Sequence, residues 1–126
     1  MESSDTILFE HAEPILRVRD MARSVRYYTD VLGFTNAVWG SDEFTRVTRG
    51  DAGIYLAAGD PGPEGAWVWI GVSDVAALFE ELTVRGATIP QPPLNFSWAC
   101  EMEVLDPDGH TLRFGSEPLA TAAQAG

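Results

Sequence analysis

The sequence predicts an α+β chain built from two copies of one βαβββ module, whose curved mixed sheets enclose a cavity. Three observations lead there. A short motif recurs, Val18-Arg19-Asp20 and, 54 residues later, Val72-Ser73-Asp74, and internal repeats of this kind mark duplicated supersecondary units. A strand-like run precedes each copy and an amphipathic helix pattern follows it. Three further strand candidates come after each helix, separated by turn residues.

The first module opens on a strand over Pro14–Val18 and the second on one over Trp67–Val72. In the first helix Met21, Val25, Tyr28 and Leu32 fall at i, i+4, i+7 and i+11, and Val75, Leu78, Phe79 and Leu82 line one face of the second. Asp20 and Asp74 stand where an N-cap carboxylate accepts from free backbone N–H groups. Gly33 and Gly86 follow the helices as terminating glycines do. The remaining strands are expected over Thr35–Trp39, Phe44–Thr48 and Gly53–Ala57, then Thr88–Ile89, Ser97–Leu105 and Thr111–Gly115. Gly50-Asp51 and Asp106-Pro107-Asp108-Gly109 supply turns, their acids serving as turn formers. A Pro/Gly segment, Gly59–Gly65, joins the halves. The domain organisation expected is one domain over 1–126, made of modules 12–58 and 66–117. A helix covers only the outer face of each sheet, so the inner face needs a second unit, from this chain or another.

Length and composition fit one globular domain. The 126 residues are 45% hydrophobic, enough to bury a core unaided. No apolar run is long enough to span a bilayer, and the polar, acidic start is not a signal peptide. Cys100 is the sole cysteine, read as a small core filler, and the lack of an internal disulfide fits a cytoplasmic location. Nineteen acids oppose eight bases, all arginine, for a net charge of −11. That field disfavours nucleic acid and anionic membranes and favours cations.

Two stretches carry a family resemblance. Glu13-Pro-Ile-Leu-Arg-Val-Arg-Asp-Met21, followed by Ser24, Tyr27-Tyr28 and Val31-Leu-Gly-Phe34, resembles the opening signature of the glyoxalase, or vicinal oxygen chelate, superfamily. Asp106-Pro-Asp-Gly-His-Thr-Leu-Arg-Phe114 resembles its closing signature. The likeness runs from about Ala12 to Glu117 and implies the glyoxalase/bleomycin-resistance fold. Metal enzymes of the superfamily set a His or Glu at each of four strand positions, which here hold Glu13, Tyr55, Trp67 and Arg113. Only Glu13 is a good ligand for a divalent metal, and Arg113 would repel one. His11 and His110, read as surface histidines, do not complete a set. No metal and no other cofactor is therefore expected.

The metal-free bleomycin-resistance branch is the nearer likeness. Gly65-Ala-Trp-Val-Trp-Ile70 resembles its aromatic strand, and Trp98 matches a tryptophan those proteins carry before the Asp-Pro turn. The linker and Pro90–Leu94 depart from the pattern. The resemblance implies a homodimer that sequesters a cationic, partly aromatic small molecule, such as a bleomycin-type antibiotic, in grooves at its interface without modifying it. Trp67 and Trp69 alternate along one strand face and form a stacking platform if Trp67 takes the metal position. Trp98, Trp39, Phe44, Phe96 and Tyr55 extend the wall; Asp42, Glu43, Glu101 and Glu103 are candidates for an acidic rim. Glu13 and Arg113 are candidates for an ion pair in place of the metal. The alternatives are a metal-dependent glyoxalase-like lyase or dioxygenase, and a metal-free enzyme using Glu13 as base and Arg113 as anion clamp.

Overall fold

The computed structural model describes residues 7–8, 11–59 and 65–119. Most of the expected linker, 60–64, lies outside them. The first half contains β1 (Ile15–Val18), α1 (Met21–Arg26) continued by a π-helical turn (Tyr27–Val31), β2 (Thr35–Asn36), β3 (Phe44–Arg49) and β4 (Ala52–Ala58). The second contains β5 (Trp67–Gly71), α2 (Val75–Arg85), β6 (Thr88–Asn95), β7 (Cys100–Leu105) and β8 (Thr111–Ser116). The sheets run β1-β4-β3-β2 and β5-β8-β7-β6, one order used twice. In each, the first strand pairs in parallel with the last and the others are antiparallel. Among the described residues no helix is long and apolar enough to cross a membrane.

Local chemistry sets the helix ends. The Asp20 carboxylate accepts from Arg23 N–H and that of Asp74 from Ala77 N–H, each cap contributing about 1 kcal/mol. Gly86 closes α2 in the left-handed region at φ 90°. The first helix widens after Arg26, where Leu32 N–H reaches back to Tyr27 O at 3.0 Å. Tyr28, Leu32 and Ser24 end up buried, so a polar residue joins the stripe read from the sequence.

Three strands differ from expectation. β2 stops at Asn36, leaving Trp39 in a turn closed by Gly40 N–H to Ala37 O. β6 continues through Pro90, Pro92 and Pro93 to Asn95. It is an edge strand, where a missing N–H costs little, and its register slips around Gln91. β7 begins only at Cys100, because Phe96 N–H closes a turn on Ala99 O. Trp98 therefore sits on that turn rather than within a strand.

The helix-covered faces form one core containing Leu16, Val18, Leu56, Leu82, Met102, Val104 and Leu112. Cys100 is buried among them. A polar clamp joins the halves. Asp106 and Asp108, at the β7–β8 turn, accept from the hydroxyls of Tyr28 (2.9 Å) and Ser24 (2.8 Å). Asp106 also accepts from the N–H groups of Asp108 and His110, so it is a turn former as well. His110 is buried, not a surface residue, because its ring bridges Ala66 N–H and Arg17 O. The halves thus meet through their helices and this turn. The two inner faces do not close over one another, and the sheets are curved but open.

Candidate functional site

Alternation along the strands sends the core residues one way and a second set the other. On the first sheet the second set is Ile15, Phe44, Arg46 and Tyr55, brought abreast by the pairings Ile15↔Tyr55 and Arg46↔Tyr55. Trp39 stacks on Phe44 at 6.3 Å and Phe44 on Tyr55 at 5.3 Å, while the Arg46 guanidinium lies 5.8 Å above the Tyr55 ring. Arg46 also holds Glu13 with two hydrogen bonds, Nε to Oε1 at 2.7 Å and Nη2 to Oε2 at 2.5 Å. His11 Nε2 lies 3.2 Å from the same carboxylate. The hydrogen bonds from Arg46 keep the Glu13 carboxyl below its ordinary range against the effect of burial, and the charges of Arg46 and His11 act in the same sense. A carboxylate held down this way is a weak base.

On the second sheet Trp69 lies opposite Arg113, and Arg113 opposite Glu103. Arg113 Nε donates to Glu101 at 2.8 Å and Nη1 to Glu103 at 2.6 Å. The expected Glu13–Arg113 pair is therefore not formed: Arg113 stands on the second sheet and Glu13 just ahead of β1, each held by a nearer partner. Glu101 and Glu103 share the face of Trp69, which settles the orientation of β7, and are committed to Arg113 rather than to a free rim. Glu101 also accepts from Trp69 Nε1 at 3.0 Å. Burial raises its carboxyl, but hydrogen bonds from Trp69 and Arg113, the Arg113 charge and a hydrogen bond from Trp98 outweigh that and leave it below the usual glutamate range.

Trp67, Trp69 and Trp98 are 63%, 56% and 65% exposed, a degree of exposure that core aromatic residues do not show. Trp98 stacks on Phe96 at 4.6 Å with the rings 9° apart. Two clefts use Trp69 as a wall. One, of about 340 Å³, is lined by Trp69, Trp98, Gly71, Gly115 and Glu117. The other, of about 290 Å³, lies between Trp69 and the His11–Glu13 segment. A larger cleft of about 570 Å³ sits apart from the aromatic face, between α2 and the β3–β4 turn. Of its four charged side chains, Arg49 and Glu81 are paired with each other and Asp74 caps α2, and none of the exposed tryptophans lines it, so it is the weaker candidate despite its size.

The structure gathers Trp39, Phe44, Tyr55 and Glu13 beside the first sheet, and Trp69, Trp98 and Arg113 beside the second. Trp67 lies exposed on the same strand as Trp69. Arg46, Glu101 as a hub, and the glycines under Trp69 were missed as site residues. Isolated glycines inside β5 and β8 were the available signal, since such a glycine marks close approach of another group. The four metal positions do not fit a metal. Glu13 and Arg113 are each tied to an opposite charge, Trp67 offers no lone pair and Tyr55 is a poor donor. Among the described residues no group of three or more His, Cys, Asp or Glu converges.

This repeated open-sheet architecture defines the class. The chain belongs to the Glyoxalase/Bleomycin resistance protein/Dioxygenase superfamily, whose profile matches residues 8–114. It is 26% identical to the bleomycin-binding protein of bleomycin-producing Streptomyces verticillus, solved with copper(II)-bleomycin, at TM-score 0.72 over 88% of this chain and 98% of that one. It is 25% identical to TioX from Micromonospora sp. ML1, at TM-score 0.75 over 86% and 99%. A virulence protein of Salmonella typhimurium shares the fold at 20% identity and TM-score 0.72, over 89% and 99%. No curated protein matches the chain by sequence.

Proposed function

We propose that this protein sequesters a cationic, partly aromatic small molecule of the bleomycin type without modifying it, in grooves formed when two copies of the chain pair. The observation that carries the reading is the open second sheet. Three tryptophans lie exposed there while the charges among them, Glu101, Glu103 and Arg113, are already paired. Such a face offers stacking area, with the charges at its centre already satisfied by one another. The net charge of −11 draws a cation towards it, and the aromatic surfaces hold what arrives. The likeness to a bleomycin-binding protein at 26% identity supports the ligand class.

The test is calorimetric titration of bleomycin into protein treated with EDTA. Saturable binding with unchanged bleomycin recovered afterwards is expected. Absence of heat at millimolar bleomycin, or binding that appears only after a divalent metal is restored, defeats the proposal.

A further inference from the structure

We infer that Glu101 and Gly115 are the positioning residues of a preformed slot between Trp69 and Trp98, and that the slot takes one flat, electron-poor heteroaromatic ring system. The inference rests on the binding function proposed above and says which groups shape the site.

Trp69 does not stand away from its strand. A Cβ on Gly115 would come within 2.5 Å of its ring, and one on Gly71 within 3.2 Å. The indole thus lies along the sheet over two strand positions that carry no side chain. Gly115 is not among the glycines with positive φ, so backbone conformation does not call for glycine there and the overlying ring does. Glu101 fixes the direction of the indole through Trp69 Nε1 at 3.0 Å and is itself held by Arg113. One buried carboxylate therefore sets the Trp69 wall of a cleft of about 340 Å³, and the facing Trp98 is held by its stacking on Phe96. That volume is at the small end of ligand sites and suits one fused ring system. Indole faces are electron-rich, and hydrogen bonding of Nε1–H to an anion makes the ring more so, favouring an electron-poor or cationic partner.

Replacing Trp39 and Trp67 by phenylalanine leaves Trp69 and Trp98 as the only indoles and makes their fluorescence report on the slot. 1-Methylquinolinium serves as the probe, in 0.5 M salt to screen the general field. Gly115→Ala is expected to red-shift the emission, raise acrylamide quenching about twofold and weaken probe binding about tenfold. Glu101→Ala is expected to do the same, whereas Glu101→Gln, whose amide oxygen still accepts from Trp69, keeps most of both properties. Gly115→Ala added to Trp69→Ala is expected to change affinity less than twofold, because the group it displaces is gone. An emission spectrum unmoved by Gly115→Ala overturns the seat even if bleomycin binds. A shifted spectrum with unchanged probe affinity overturns the slot as the ring site while leaving bleomycin binding intact. Failure of both bleomycin and the probe to bind overturns this inference together with the function on which it rests.

Discussion

The Tyr28 hydroxyl donates to Asp106 Oδ2 at 2.9 Å, 78 residues away along the chain and fully inside the protein. The bond ties the first helix to the last β-turn, so it reports on how the two halves hold together. Tyr28→Phe removes the donor and leaves a buried carboxylate oxygen short of a partner. The expected loss is about 1–3 kcal/mol, read as a lower denaturant midpoint at unchanged slope. A loss under about 0.5 kcal/mol, the range of ordinary surface changes, would show that the halves do not depend on this contact.

His110 supplies a second tie of a different kind. Ala66 N–H can only donate, so Nδ1 accepts it at 3.0 Å, and Nε2 then carries the proton that reaches Arg17 O at 2.7 Å. The Nε2–H tautomer is the one these two bonds require, and nitrogen-15 NMR of the imidazole will show which nitrogen carries the proton. His110→Phe keeps the ring volume but orphans both backbone groups, with an expected cost on the order of 2–4 kcal/mol from two buried unmade bonds. Finding the proton on Nδ1 would contradict the clamp.

These two residues also mark where sequence reading stops. The caps Asp20 and Asp74 and the glycines Gly33 and Gly86 were legible because each acts within one turn of its own position. Alternation in Trp67–Ile70 correctly put both tryptophans on one face. The partners of Tyr28 and His110 lie far along the chain, so the sequence offered a helix stripe and a turn histidine but not the clamp. Glu13 was matched with Arg113 because both hold ligand positions. Its actual partner, Arg46, is set by the register of β3 on β4, where Arg46 pairs with Tyr55. That register depends on packing across the sheet and not on any local motif. The prolines of β6 misled for a similar reason, since their tolerance follows from edge position.

Stability should fall in acid. Glu81 is held below 4.5 by hydrogen bonds from Arg49, against the effect of burial, with the charges of Arg49 and Arg85 assisting; Glu13 and Glu101 are also depressed. A depressed carboxyl adds stability above its unfolded value and loses it as pH falls through the folded value. Asp106 works the other way. Burial lifts it above 3.8, so its contribution declines as pH rises from there. Denaturant titrations from pH 7 to 3 should show a decline beginning near 4.5, shallower in Glu81→Gln and steeper in Asp106→Asn. On the alkaline side, burial raises Tyr27 and Tyr28 above 10, and stability present below 10 should drain above it. Identical acid slopes in wild type and Glu81→Gln would remove the Arg49–Glu81 pair from the account.

The proposed dimer has a direct readout. Ile15, Trp67, Trp69 and Leu94 are 60%, 63%, 56% and 48% exposed, large apolar side chains on the open sheets that a second copy of the chain would cover. Static light scattering at micromolar concentration should give twice the chain mass, and Ile15→Glu together with Leu94→Glu should move the mass towards that of one chain. A monomer in the wild type would mean that the grooves, if present, form within a single chain.

Binding should depend more on the aromatic anchors than on any single acid. Trp98 is prestacked on Phe96 and walls the cleft it shares with Trp69, so its removal loses area and stacking at once. Trp98→Ala and Trp67→Ala are each expected to cost about 2 kcal/mol or more of bleomycin affinity, the scale of an interface hot spot. Asp42 stands on an exposed turn, and Asp42→Asn is expected to cost well under 1 kcal/mol, as single exposed charges do. Affinity should also fall with added salt, because the long-range part of the attraction is screened within about 8–10 Å at ordinary ionic strength. Calorimetric titration of bleomycin into the wild type and the three variants measures the ordering. Equal losses from all three would mean that the ligand is held by diffuse charge and not on the tryptophan face, and a loss confined to Asp42→Asn would move the groove to the Trp39–Phe44 turn of the first sheet.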